Sequence, residues 1–254
     1  MIAYLLVVHG SRNPTYGQQL HKLQQLIMEK FRSQGFFTPI AMAYLELGDQ
    51  PLSVKIVNIT QEYAQKGYKI LKILPLFLLS GTHVLEDIPK EVAISRPFSP
   101  LKLELMAHLG QNQNLISLLQ YKYQQQPTTH RILLTHGTKI PQGNQESEKI
   151  AQQLKAQIAY WSISPDLATI INQLSNSFSE SIAILPYFLF SGKITEAIAN
   201  ETKKIQKQTN SKLQFIPPLG VTPELIEVIV KVMLTTPSED KKLQNHQRKT
   251  ILER

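Results

Sequence analysis

Three side chains carry donor chemistry at suggestive places: His9 in LLVVHGSRNP, Glu46 in AYLELGDQP and His83 in LFLLSGTHVLEDIP. Two imidazoles and a carboxylate supply the nitrogen and oxygen donors that suit a divalent first-row metal. The same groups accept protons, which matters wherever a metal displaces N–H protons from its ligand. Singly, each has a commonplace explanation: a turn residue after a strand, a solvated loop carboxylate, a surface histidine ahead of a helix. Their joint meaning depends on whether the fold brings them together.

The elements around them alternate. Ala3 to Val8 reads as a buried strand without polar alternation, and Leu20, Leu23, Ile27 and Phe31 then fall on one helical face. Ile40 to Leu45 reads as a second strand. Leu52, Ile56, Ile59 and Tyr63 make a second helical stripe that stops at Lys66-Gly67. Ile70 to Leu79 reads as a third strand, followed by a helix from about Leu85 with Pro89 in its first turn. Leu101 to Met106 is a fourth strand, and Leu115, Leu118 and Leu119 open another helix. Strands alternating with helices call for a parallel sheet with right-handed crossovers. Ligands of such sheets bind outside the carboxyl ends of the strands, where His9, Glu46 and His83 all fall.

The second half repeats the first. RILLTHGTK echoes YLLVVHGSR, AILPYFLFSG echoes KILPLFLLSG, and LQFIPPLG echoes LELMAHLG, in the same order. The expected fold is therefore α/β, with two homologous three-layer lobes, each a parallel sheet flanked by helices. The lobes are expected at 1–122 and 130–235, joined by the polar stretch Tyr121 to Thr129, with a polar tail at 236–254. The copies differ in their polar residues. His136 matches His9, but Ser162 stands where a carboxylate would, in a weakly marked second strand near Ile158 to Ile163. SGKITEAI is one residue shorter than SGTHVLEDI and has Lys193 but no histidine. One working site per chain, in the first lobe, is the expectation, with the second lobe as the far wall of a cleft.

Other residues are candidates of a weaker kind. Arg12 and Lys193 are placed to bind substrate carboxylates, and Ser80 with Gly81 to offer backbone N–H groups to an anion. His108, after the fourth strand, could line the same crevice, and His136 is a relic or a cleft-lining residue. His21, His130 and His246 read as helix-surface, linker and tail residues.

Composition narrows the classes. With no cysteine, thiolate catalysis, disulfides, iron–sulfur clusters and zinc ribbons are excluded, so any metal needs histidine or oxygen donors. The formal charge of +8 favours acidic partners. The basic residues are dispersed and no aromatic-rich basic motif appears, so an acidic small molecule is expected rather than nucleic acid. Apolar runs such as Ile73 to Leu79 fall short of a bilayer span and no cationic leader precedes the first of them, so neither a membrane partner nor secretion is expected, and the cytoplasm is the expected location. There is no Walker loop or G-x-G-x-x-G for a nucleotide, no G-x-S-x-G elbow for a hydrolase, and Val8 stands where a histidine phosphatase carries arginine before its histidine.

The motifs LLVVHGSRNP, AYLELGDQP and LPLFLLSGTHVLEDIP, with the weaker LLTHGTK and LPYFLFSG, resemble those of the class II tetrapyrrole chelatases, in particular the long two-lobed sirohydrochlorin cobalt- and ferrochelatases. The resemblance covers about Ala3 to Met233. It implies insertion of Co2+ or Fe2+ into sirohydrochlorin in siroheme or cobalamin synthesis. It further implies His9 and His83 as metal-binding and catalytic histidines, Glu46 as their acidic partner, and the metal as substrate with no prosthetic group. The donor set suits iron, cobalt and nickel alike. Monomer and homodimer are both compatible. The rival reading is a metal or tetrapyrrole carrier on the same fold, which would bind without turnover.

Overall fold

The computed structural model describes residues 1–140, 142–175 and 180–235; the polar tail expected from 236 onward, with His246, lies outside them. The first half runs β1 (Ile2–Val8), α1 (Pro14–Ser33), β2 (Ile40–Tyr44), α2 (Leu52–Gln65), β3 (Ile70–Pro75), α3 (Ile88–Ser95), β4 (Lys102–Leu105) and α4 (Gln113–Gln124). The second half runs β5 (His130–Thr135), α5 (Gln145–Gln153), β6 (Gln157–Tyr160), α6 (Leu167–Leu174), β7 (Ser181–Pro186), α7 (Lys193–Gln206), β8 (Lys212–Phe215) and α8 (Pro223–Leu234). Each half forms one four-stranded parallel sheet, ordered β2-β1-β3-β4 and β6-β5-β7-β8.

The helical stripes read from the sequence are the buried faces. Leu23 and Ile27 of α1 and Ile56 of α2 are fully buried, with Phe31 nearly so. Burial of each such side chain contributes about 1.5–3 kcal/mol. Asn13 caps α1, its Oδ1 accepting from the Thr15 N–H at 3.1 Å, and Gly67, at φ +83, stops the chain after α2 in the left-handed conformation that glycine tolerates. The strands alternate sides. Ala3, Leu5 and Val7 face α2 and α3, whereas Tyr4, Leu6 and Val8 face a core that continues into the second half. That shared core holds residues of α1, α4, α5 and α8 and inner-face residues of both sheets. A third cluster, around Ile132, Leu134, Ile171 and Ile184, fills the outer side of the second sheet.

Three boundaries differ from the sequence reading. The helix α4 continues through Gln124, because Tyr123 extends the Leu115–Leu119 stripe by one turn; it is fully buried and its hydroxyl donates to the Ile132 carbonyl at 2.7 Å. The strand β3 ends at Pro75 rather than Leu79: the Phe77 carbonyl turns to the Gly110 N–H and the Leu78 carbonyl to the Tyr187 hydroxyl, which takes this segment out of the sheet. The strand β6 ends at Tyr160, three residues before Ile163, where the chain bends away toward Ser162. Among the described residues no helix is long and apolar enough to cross a membrane.

Candidate metal and macrocycle site

In the order β2-β1-β3-β4 the chain winds one way from β1 to β2 and returns across β1 to β3. The crevice at such a reversal lies between the carboxyl ends of β1 and β3. His9 follows β1 directly, and Glu46 is delivered beside it by the ladder that continues past β2: the Leu45 N–H donates to the Val8 carbonyl at 2.8 Å and the Glu46 N–H to the His9 carbonyl at 2.9 Å. The tight approach requires glycine at position 10. Its φ is +110, and a Cβ there would lie 2.0 Å from the Glu46 carbonyl oxygen.

His83 arrives by a different device. Residues His83–Asp87 form a π-helical turn, with the Ile88 N–H donating to the His83 carbonyl, before α3 begins. A π turn holds one residue more than an α-helix needs, and this is the residue by which SGTHVLEDI exceeds SGKITEAI. Pro89 fits the same picture, since it has no N–H to return to Leu85 and its ring would press on that carbonyl in a regular helix. The helix expected from Leu85 therefore begins as an α-helix only at Ile88, with Pro89 in its first turn.

The three side chains meet. One donor atom from each of His9, Glu46 and His83 lies within 4.8 Å of the others. The imidazole rings stand edge to face with centroids 4.7 Å apart, and His9 Nδ1 is 3.9 Å from a Glu46 oxygen. Imidazole–metal bonds of about 2.1 Å bring donors to within about 4.2 Å of each other, so small side-chain rotations would close this set on an ion. His9 and Glu46 are half exposed and His83 is partly buried, which leaves the donors reachable from outside. His83 Nδ1 lies 2.7 Å from Asp87 Oδ2, one helical turn on. A carboxylate in this place would keep a proton on Nδ1 and leave Nε2 as the metal donor, as outer partners of metal-bound histidines commonly do. Phe77 sits beside both imidazoles, with ring centroids 6.3 Å from His9 and 6.2 Å from His83.

His9 also opens onto a cleft of about 770 Å³ between the halves. One wall is Gly10 to Asn13 with Tyr16; the other is Phe188, Phe190 and Ser191 to Glu196. Tyr16 packs edge to face on Phe190 at 5.4 Å, so aromatic surface from both halves lines the space. Burial pushes the Tyr16 phenol up to about 12, which keeps it a neutral donor at the cleft wall. Arg12 and Lys193, the two cations expected to meet acidic groups, both line this cleft.

Three expectations meet a different environment. Ser80 and Gly81 have no N–H free for an outside anion: Ser80 N–H donates to Glu146 Oε2 at 2.6 Å and Gly81 N–H to the Leu79 carbonyl at 3.1 Å. His108 is 2% exposed and does not line the cleft; its ring contacts the Ser80 hydroxyl at 2.9 Å and the Phe77 carbonyl at 3.0 Å. In the second half the Ser162 N–H donates to the His136 carbonyl at 2.9 Å, reproducing the Glu46–His9 pair, but the Ser162 hydroxyl folds back onto the same carbonyl. His136 is exposed, and among the described residues it joins no cluster of donors.

Asp87, Phe77, Tyr16 and Phe190 were missed in the sequence reading. Asp87 alone had a local signal, the i,i+4 spacing from His83 that places both on one side of a helical turn. Tyr16 and Phe190 carry no such signal, and only the packing of the halves shows that they face a cleft, while Phe77 lies beside the two imidazoles.

Against known proteins, the model of the CbiX family matches residues 3–126 and again 131–236. A sirohydrochlorin ferrochelatase of Bacillus subtilis is 20% identical over 239 residues, covering 88% of this chain and 87% of that protein. A sirohydrochlorin cobaltochelatase of Methanopyrus kandleri is 29% identical over 94 residues, covering 37% of this chain and 60% of the relative. Among solved structures, SirB from Bacillus subtilis with Fe3+ superposes with a TM-score of 0.75 at 18% identity, covering 91% of this chain and 94% of that one.

Proposed function

The chain belongs to the CbiX family, and on that premise we propose that it is a sirohydrochlorin chelatase, inserting a divalent metal, Fe2+ or Co2+, into an acidic tetrapyrrole. The observation that carries this reading is the convergence of His9, Glu46 and His83, with His9 also lining an inter-lobe cleft that has aromatic walls and two cations. The metal is a substrate here. His9 and His83 hold the incoming ion through neutral nitrogens and leave its other positions open for ring nitrogens. Glu46, 3.9 Å from His9, is the carboxylate of the donor set able to accept a pyrrole proton, and the displaced protons leave through this half-exposed edge. Arg12 and Lys193 pair with peripheral carboxylates of the macrocycle, whose flat apolar faces lie against Tyr16, Phe188 and Phe190. The relatives at 20% and 29% identity include both an iron and a cobalt enzyme, so supply of the ion, as much as the donor set, would select the metal.

The test is a multiple-turnover assay with sirohydrochlorin and Co2+ or Fe2+, followed by the absorbance of the metallated product. Many product molecules per chain are expected, with a loss of more than about 100-fold in His83→Ala. Product that stops at one equivalent per chain would instead identify a carrier.

A further inference from the structure

Resting on the chelatase reading, we propose that Glu146 and Tyr187, both from the half that lacks the donor set, are positioning residues for His83. They clamp the segment that leads into the π turn. The Glu146 carboxylate accepts from Ser80 N–H at 2.6 Å, and the Tyr187 hydroxyl donates to the Leu78 carbonyl at 3.2 Å. The same segment is fixed from its own half. The Phe77 carbonyl accepts from the Gly110 N–H at 2.9 Å and lies 3.0 Å from His108 Nδ1. Since a carbonyl only accepts, Nδ1 carries a proton, and His108 Nε2 lies 2.9 Å from the Ser80 hydroxyl and 3.7 Å from Glu146 Oε1. Gly110 is packed so closely that a Cβ would lie 1.9 Å from the Leu78 carbonyl oxygen. From Ser80 the constraint passes directly to the histidine: the Gly81 carbonyl accepts from both Val84 and Leu85 N–H at 3.0 Å, closing the first turn around His83.

The opposite crossing contact is weaker. Glu146 occupies in α5 the place that Gln19 occupies in α1, as Ile150 and Leu154 match Leu23 and Ile27 in the shared core. Gln19 Nε2 reaches Ser191, the match of Ser80, but donates to its carbonyl at 3.4 Å. A short bond to a carboxylate is about twice as strong as a neutral one. The charged clamp therefore falls on the segment that carries a metal donor, and the neutral contact on the one that does not. The degenerate half has lost its donors while holding in place a donor of the other half.

Hydrogen–deuterium exchange of the full chain, with no metal or substrate, tests this directly. Glu146→Ala should raise exchange across residues 80–88 by about tenfold while β1 stays protected. Glu146→Gln, which keeps an acceptor for Ser80 N–H, should restore protection, and Tyr187→Phe should show a smaller rise in the same segment. In the chelatase assay Glu146→Ala should lower kcat about tenfold with sirohydrochlorin KM little changed, and Glu146→Gln should recover it to within about threefold. Unchanged exchange at 80–88 in Glu146→Ala overturns the clamp, as does increased exchange with kcat untouched. If Glu146→Ala does not fold, exchange and kcat in Tyr187→Phe decide, and wild-type behaviour there overturns the proposal. A wild-type chain without turnover would remove the chelatase reading, and the exchange result would still judge the clamp.

Discussion

The two halves of the molecule share a strand order, a register and a switch point, yet among the described residues only the first assembles a donor set. Val8–Leu45 and His9–Glu46 in the first half correspond, bond for bond, to Thr135–Trp161 and His136–Ser162 in the second, with distances of 2.8–2.9 Å throughout. Scaffold and site are therefore separable. The apolar runs and glycine turns rebuild the same crevice twice, while three side chains and one π turn separate the copy proposed to hold an ion from the other. Exchanging Glu46 for Ser162 removes a carboxylate at no cost to the ladder, because that ladder is made of backbone. Losing the extra residue of the π turn lets α7 run as a regular helix from Lys193, and nothing then takes the place of His83.

Paired substitutions break this comparison most sharply. His9→Ala should reduce metal insertion by more than about 100-fold, whereas His136→Ala at the matching place should leave kcat/KM unchanged. Equal losses in the two variants would show two working sites. Asp87→Ala comes next: without an acceptor for Nδ1 the His83 ring loses its fixed orientation, and Co2+ affinity measured by titration should fall by about 10–100-fold. A stability effect follows. Gly10→Ala should lower unfolding free energy by about 1–3 kcal/mol in urea melts, because it sets a side chain at positive φ against the Glu46 carbonyl. Gly81→Ala, with nothing within 4 Å of the new Cβ, is the control.

The smallest effect concerns alkaline pH and treats the halves alike. Tyr4, Tyr16, Tyr63 and Tyr160 are pushed up to about 12, mainly by burial, and Tyr123 and Tyr187 are raised further. Each folded-state value lies above the ordinary phenol value of 10, so the stabilisation is complete below pH 10 and is lost as pH climbs from 10 toward 12. Ultraviolet titration should show these six tyrosines ionising only well above pH 10 and together with unfolding. Uniform titration near 10 would contradict the burial described here.

Much of this arrangement is legible in the sequence. Period-3.6 stripes gave the buried faces of α1, α2 and α4, unbroken apolar runs gave the inner strands, and the repeated motifs gave the duplication. His9 and Glu46 could be placed at one sheet edge because each follows its strand closely and the edge rule for parallel sheets is general, whereas β3 ends before its apolar run does and His83 comes from the π turn beyond it. What escaped depends on contacts between elements. Glu146 bonds a backbone N–H far away in sequence, and no pattern marks a carboxylate for that use. His108 follows a strand just as His9 does, yet the crossing of the halves covers it. The π turn was hidden because one added residue in a helix disturbs the apolar period no more than a loop does. Ser80 and Gly81 were expected to offer N–H groups to an outside anion, but an internal carboxylate takes the one on Ser80 and the Leu79 carbonyl the one on Gly81.

The core that runs without a break from Tyr4 and Leu23 to Ile229 and Met233, stitched by the Tyr4 hydroxyl on the Met233 carbonyl at 2.7 Å, has a mechanical consequence. Swinging the halves apart by enough to wet 200 Å² of that seam would cost about 5 kcal/mol. Widening the cleft would therefore work against this seam, and a flat guest of the proposed kind would meet walls that one continuous core ties together, with Arg12 on one side and Lys193 on the other.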